Sequence, residues 1–112
     1  MVITLFGSIR IVPGMEQREE RLADKLYSIA ETMPGFISYK VYTAGDGEEL
    51  GVIRFDSRES LDRWAHEGEH LAAQALAPEI YESFWIQDAE TYREYTWEHG
   101  VHKDGDLTHL FA

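Results

Sequence analysis

Residues 56–74 read D-S-R-E-S-L-D-R-W-A-H-E-G-E-H-L-A-A-Q and place one tryptophan and two histidines on a single predicted helix. Asp56 or Ser57 can cap it, with Glu59 or Ser60 inside its first turn. On a straight helix Leu61, Trp64, Ala65, Gly68, Leu71, Ala72 and Ala75 share one face, while His66 and His70 project from roughly the opposite one, towards water. Gly68 is where that register can break. Two chemistries can be read from the stretch. His66-Glu67-Gly68-Glu69-His70 matches H-E-x-x-H, in which two imidazoles one turn apart hold zinc and the glutamate activates water. Alternatively, Trp64 and His70 line a pocket for an organic substrate. The glycine inside the motif weakens the helix and no third ligand stands out downstream, so the expectation is no metal site.

Working outwards, Leu50 to Phe55 is a short apolar run, and Phe36 to Thr43 alternates Ile37, Tyr39, Val41 against Phe36, Ser38, Lys40, Tyr42. The Ala-Gly-Asp-Gly between them supplies residues suited to the positive φ of a hairpin turn. Upstream, Met15 to Met33 carries Met15, Leu22, Leu26, Ile29, Ala30 and Met33 at helical spacing, with Glu16, Glu19 and Glu20 suited to the positive end of the helix. Met33-Pro34-Gly35 stops it, because proline disfavours helical geometry in the residue before it. Residues 2–12 form a first strand that alternates Ile3, Leu5, Gly7, Ile9, Ile11 against Val2, Thr4, Phe6, Ser8, Arg10. Downstream, Ala77-Pro78 is expected to end the helical stretch, followed by two strand segments, Tyr81 to Gln87 and Tyr92 to Trp97.

The order is β-α-β-β-α-β with an extra C-terminal strand, the split arrangement of α+β ferredoxin-like folds. Residues 1–98 then form one domain, and 99–112, polar and Gly-containing, a tail or arm. Two helices cover one face of a four-stranded sheet, yet both faces of these strands carry apolar groups. A second copy of the sheet covers the other face most economically, so a homodimer enclosing a cavity between sheets is expected.

Composition narrows the partners. At 112 residues the chain has room for one core. A net charge of −11, from 10 basic and 21 acidic side chains, repels nucleic-acid phosphates and anionic lipid headgroups. The chain has no cysteine, which removes disulfides, thiol catalysis and thiolate metal ligands. No apolar run approaches the length of a membrane span, and Met1 to Phe6 lacks the basic flank of a signal peptide, so a cytoplasmic location is the default.

In these segments the chain resembles the antibiotic biosynthesis monooxygenase-like family of dimeric α+β barrels, from about Val2 to Trp97. The resemblance rests on I-R-I-V-P-G-M at 9–15, M-P-G-F-I-S-Y-K-V-Y at 33–42, the Asp46-Gly47 turn, Phe55-Asp56-Ser57, and L-x-x-W followed by E-H-L-A-A-Q at 61–74. It implies a cofactor-independent monooxygenase that acts on a small aromatic substrate of quinol or polyketide type with dioxygen, and needs no metal or flavin. Haem-degrading relatives resemble one another in an Asn, Trp, His set, whereas this chain has no asparagine, and Gly7 or Ser8 lies where one is expected. A non-catalytic small-molecule-binding or assembly module of the same fold is the alternative.

A cofactor-free oxygenation needs a dry pocket, a base and donors for a developing phenolate oxygen. The candidates are His70 as base or orienting donor and Arg10 as oxyanion partner. Trp64, Ser8, Phe6 and Tyr42 are the candidate substrate-binding residues. Each has a plainer reading: Trp64 and Tyr42 as core, His70 and Arg10 as solvated surface.

Overall fold

The structure is a computed structural model; it describes residues 1–99 and the backbone of 101–102. Strand β1 (Val2–Ile11) leads through Pro13-Gly14 into helix α1 (Glu16–Thr32), then β2 (Phe36–Thr43), β3 (Glu49–Phe55), α2 (Arg58–Ala65), α3 (Gly68–Ile80) and β4 (Tyr81–Glu90). The four strands form one antiparallel sheet in the order β2-β3-β1-β4. This is the ferredoxin-like α+β arrangement.

Local chemistry explains the boundaries. Gly35 has φ +84°, and its carbonyl accepts from Asp56 N at 2.8 Å, so M-P-G ends α1 and ties its exit to the end of β3. A Cβ on Gly35 would overlap Asp56 Oδ1 and Ser60 Oγ. Ser57, rather than Asp56, caps α2 by accepting from Ser60 N at 3.2 Å, while Asp56 accepts from Ser60 Oγ at 2.7 Å. Gly47, at φ +91°, closes the β2–β3 hairpin, with Asp46 Oδ1 accepting from Glu48 N.

Several expectations need correction. The helical stretch after Phe55 is two helices, because His66 ends α2 and Glu67 starts α3; the Glu67 carboxylate accepts from Glu69 N at 2.9 Å and His70 N at 3.1 Å. The H-E-x-x-H residues are therefore divided between a helix end and a helix start, with the glutamate committed to capping. Among the described residues no cluster of three or more His, Asp or Glu is arranged to hold a metal ion. Pro78 lies inside α3 instead of ending it, and Ile80, fully buried, anchors the last turn while its carbonyl accepts from Val12 N. Proline forfeits one hydrogen bond there, which the packing of Ile80 outweighs. No strand forms over 92–96; Trp97–Glu98 (β5) instead pairs with Val101–His102 (β6). That hairpin straddles the 98/99 boundary, and Gly100 and 103–112 lie outside the described residues.

The largest correction concerns the faces of β1. Ser8 adopts φ +49°, and the pairing with β4 steps from Gly7↔Trp85 to Arg10↔Ser83, so β1 holds one extra residue. The bulge reverses inside and outside along the strand. Val2, Thr4 and Phe6 face the helices before it, and Ile9 and, by alternation, Ile11 after it. Ile3, Leu5 and Gly7 lie on the helix-free face, in register with Arg54, Val52 and Leu50. The core joins Val2, Ile53 and Phe55 of the sheet to Ala30, Leu61 and Trp64 of the helices.

Candidate functional site

Between the helices and the inner face of the sheet lies a cavity of about 200 Å³. It sits within one chain, because the bulge and the helix break together turn the apolar residues of β1, α1 and α3 towards each other. Gly51 helps to leave the space: it lies on the inner face opposite Phe6, where a side chain would project into the cavity. Phe6 packs its ring on Tyr81 and Phe84, with centroids 5.8 and 4.9 Å apart, and makes one wall.

Trp64 closes the cavity where α2 meets α3. Its indole is only 5% exposed and packs on Phe55 and Tyr39, and its Nε1 hydrogen has no acceptor. A buried donor left unsatisfied is costly, and in native proteins it calls for an explanation. His70 lies beside it, with ring centroids 4.3 Å apart. The expectation that His70 faces water is overturned by the helix break. Starting a new helix at Gly68 rotates position 70 inwards, and the side chain is buried.

The His70 Nδ1 atom is 2.9 Å from the Trp64 carbonyl oxygen. A carbonyl only accepts, so Nδ1 carries the proton and Nε2 keeps its lone pair. Burial holds the His70 pKa below the ordinary value of 6.5, against the opposing pull of the Trp64 carbonyl and Glu67. The imidazole is a neutral base in its working range.

Glu19 and Tyr81 also line the cavity, and the sequence reading missed both. Tyr81 Oη donates to Glu19 Oε1 at 3.3 Å. Burial pushes the Glu19 carboxyl above the ordinary carboxylate value, with repulsion from Glu49, Glu20 and Asp24 adding to it. Burial also drives both Tyr39 and Tyr81 upwards, and Glu19 adds to each shift, so both phenols stay protonated. A signal existed: Glu19 precedes Leu22, Ala23 and Leu26 by three, four and seven positions, which puts a carboxylate on the apolar stripe of α1.

Of the six residues singled out from sequence, Trp64, His70 and Phe6 meet at the cavity, and Arg10, Ser8 and Tyr42 do not. Arg10 is exposed and pairs with Ser83 on the helix-free face. Tyr42 is half exposed, opposite Leu50 on that same face. Ser8 donates to Glu48 at 2.8 Å and accepts from Trp85 Nε1 at 3.0 Å, so its hydroxyl serves the bulge.

Comparisons with known proteins agree with this fold. The chain is 30% identical to the Bacillus subtilis (strain 168) protein YqjZ over 73 residues, which is 64% of each chain. The match thus spans a little under two thirds of that relative's length. The Mycobacterium tuberculosis protein Rv0793 superposes with TM-score 0.71 at 20% identity, over 84% of this chain and 98% of the other. SnoaB, a cofactor-independent oxygenase from Streptomyces nogalater, superposes with TM-score 0.66 at 8% identity, over 83% of this chain and 95% of its own. These two likenesses establish the fold. The antibiotic biosynthesis monooxygenase family model matches residues 2–76, which include β1, the Gly35 and Gly47 turns, Trp64 and His70, and the chain belongs to that family.

Proposed function

We propose that the protein is a cofactor-independent monooxygenase acting on a small aromatic substrate of quinol or polyketide type. The observation that carries this reading is the pair at the closed end of the cavity: a buried indole N–H without an acceptor beside a neutral imidazole with a free Nε2. His70 Nε2 takes the acidic proton of the substrate. The Trp64 N–H donates to the substrate oxygen that becomes anionic, which an apolar surrounding makes more effective than in water. The resulting carbanion gives one electron to dioxygen, recombination of the radical pair forms the C–O bond of a peroxide anion, and the proton held on His70 Nε2 returns to give the hydroperoxide. Loss of water then leaves a carbonyl where a CH₂ stood, so one oxygen atom enters product and the other leaves as water. Phe6 holds the ring against the sheet. SnoaB, an oxygenase of this kind with the same fold, supports the reading.

A homodimer and a cytoplasmic location belong to the same proposal. Ile3, Leu5, Leu50, Val52 and Trp85 share the helix-free face, an area that a second sheet would cover. Among the described residues no helix is long and apolar enough to cross a membrane.

Oxygen-electrode assays with anthrones and hydroquinones, without added cofactor, test the proposal. Trp64→Phe and His70→Ala should each slow uptake by roughly a hundredfold. Uptake unchanged by both would refute the assigned roles. Binding of these compounds without any oxygen uptake would establish a binding module instead.

A further inference from the structure

The charge distribution around the cavity is lopsided. Among the described residues, two carboxylates, Glu19 and Glu49, line it, and no lysine or arginine does. Strand register sets where they lie: Glu49 opens β3, and Ile53, beside Trp64 in the core, lies four residues further on. At strand rise that is about 13 Å, roughly the length of two to three fused aromatic rings. The cavity therefore has a donor end, the unpaired Trp64 N–H, and an acceptor end, the Glu19 carboxylate with its Tyr81 partner.

We infer that the cavity takes an aromatic ligand with an oxygen acceptor at one end and a hydroxyl or ammonium donor at the other, and rejects carboxylated or phosphorylated aromatics. This rests on the cavity being the substrate site, as proposed above, and specifies what enters it. An anion at the Glu19 end meets like charge with no cation among the described lining residues to compensate, in surroundings that screen poorly. A donor gives Glu19 a second partner beside Tyr81, whose hydrogen bond of 3.3 Å is long and leaves carboxylate lone pairs free. Burial first, and then repulsion from Glu49, Glu20 and Asp24, raise the Glu19 pKa against the opposing hydrogen bond from Tyr81. A porphyrin dicarboxylate is disfavoured on the same ground.

The test is calorimetric binding at pH 7 of three matched probes: 2-naphthylmethylamine, 2-naphthylmethanol and 2-naphthoate. The amine and alcohol should bind at least roughly tenfold more tightly than the carboxylate. Glu19→Gln should narrow the gap between amine and carboxylate at least roughly threefold. Glu31→Gln, on an exposed position of α1 away from the cavity, should leave the gap unchanged although it alters net charge identically. Naphthoate binding as tightly as the alcohol, a gap that Glu19→Gln leaves intact, equal effects of both substitutions, or failure of all three probes to bind would each overturn the inference. Absence of oxygen uptake with the predicted ranking intact would defeat only the oxygenase reading. Uptake with the ranking reversed would defeat only this one.

Discussion

Replacing Glu67 by alanine tests the helix break on which the site depends. The carboxylate accepts from two backbone amides at the start of α3, Glu69 N and His70 N. Loss of a capping acceptor costs typically about 1 kcal/mol. The negative charge at the positive end of the helix adds roughly 0.3–1 kcal/mol. Glu67→Ala should therefore lower unfolding stability by about 1–2 kcal/mol, without unfolding a domain whose α3 is pinned by buried Ala73 and Ile80. Glu67→Gln keeps an acceptor oxygen and should lose only the charge contribution, about 0.3–1 kcal/mol. Urea denaturation of the three proteins at pH 7, with constant m-values, measures both differences. Amide exchange at positions 69 and 70 should accelerate in the alanine variant. An alanine variant as stable as the parent, with unchanged exchange at those amides, would show that Glu67 does not hold the helix start, and the inward placement of His70 would need another cause.

Other consequences are equally accessible. Because the folded pKa of His70 lies below its ordinary 6.5, the unfolded chain binds the proton more readily; stability is complete above about 6.5 and declines as pH falls from there through the folded value. Glu19 acts in the opposite sense, with a folded pKa above 4.5, so its contribution is full below that pH and is lost as pH rises through the folded value. His70→Gln should flatten the decline below pH 6.5 in urea midpoints, and an unaltered profile would refute the burial of an ionisable ring. Gly7→Ala would drive a methyl into the Trp85 indole and should cost roughly 1–3 kcal/mol by thermal unfolding; in a Trp85→Ala background most of that penalty should vanish, whereas equal costs in both backgrounds would exclude the clash. Gly51→Val should reduce binding of naphthyl probes while changing stability by less than about 1 kcal/mol, and full binding in that variant would place the ligand elsewhere.

The element order was legible from residues 2–90 because it rests on local signals. Those were the alternation of 36–43, the apolar spacing of 15–33 and the Gly35 and Gly47 turns, each of which appears where the sequence puts it. Facing was not legible. Nothing in V-I-T-L-F-G-S-I-R-I-V marks Ser8 as the residue that adopts positive φ, since that choice is made by its bonds to Trp85 and Glu48, distant in the chain. Hence the sorting of β1 into two uniform faces failed, and with it the placing of Arg10 beside Phe6. Gly68 flagged a possible break, but whether the helix kinks or restarts depends on the Glu67 carboxylate accepting from the amides of Glu69 and His70. Glu19 escaped notice because three glutamates near a helix start have a sufficient explanation in the helix dipole, and burial of one of them is decided by the sheet it meets.

The bulge at Ser8 makes β1 behave like a message with a shift in its reading frame. Up to Gly7 the even-numbered residues are addressed to the helices, and from Ile9 the odd-numbered ones are. Were Ser8 drawn into the regular pleat instead, Ile9 and Ile11 would be sent to the helix-free side, and Arg10 would arrive inside a cavity lined by Glu19 and Glu49. One residue thus keeps the strand's cation outside and two of its isoleucines within. Aligning chains that lack the bulge without a gap at Ser8 would exchange the inner and outer roles of every residue from 9 to 11.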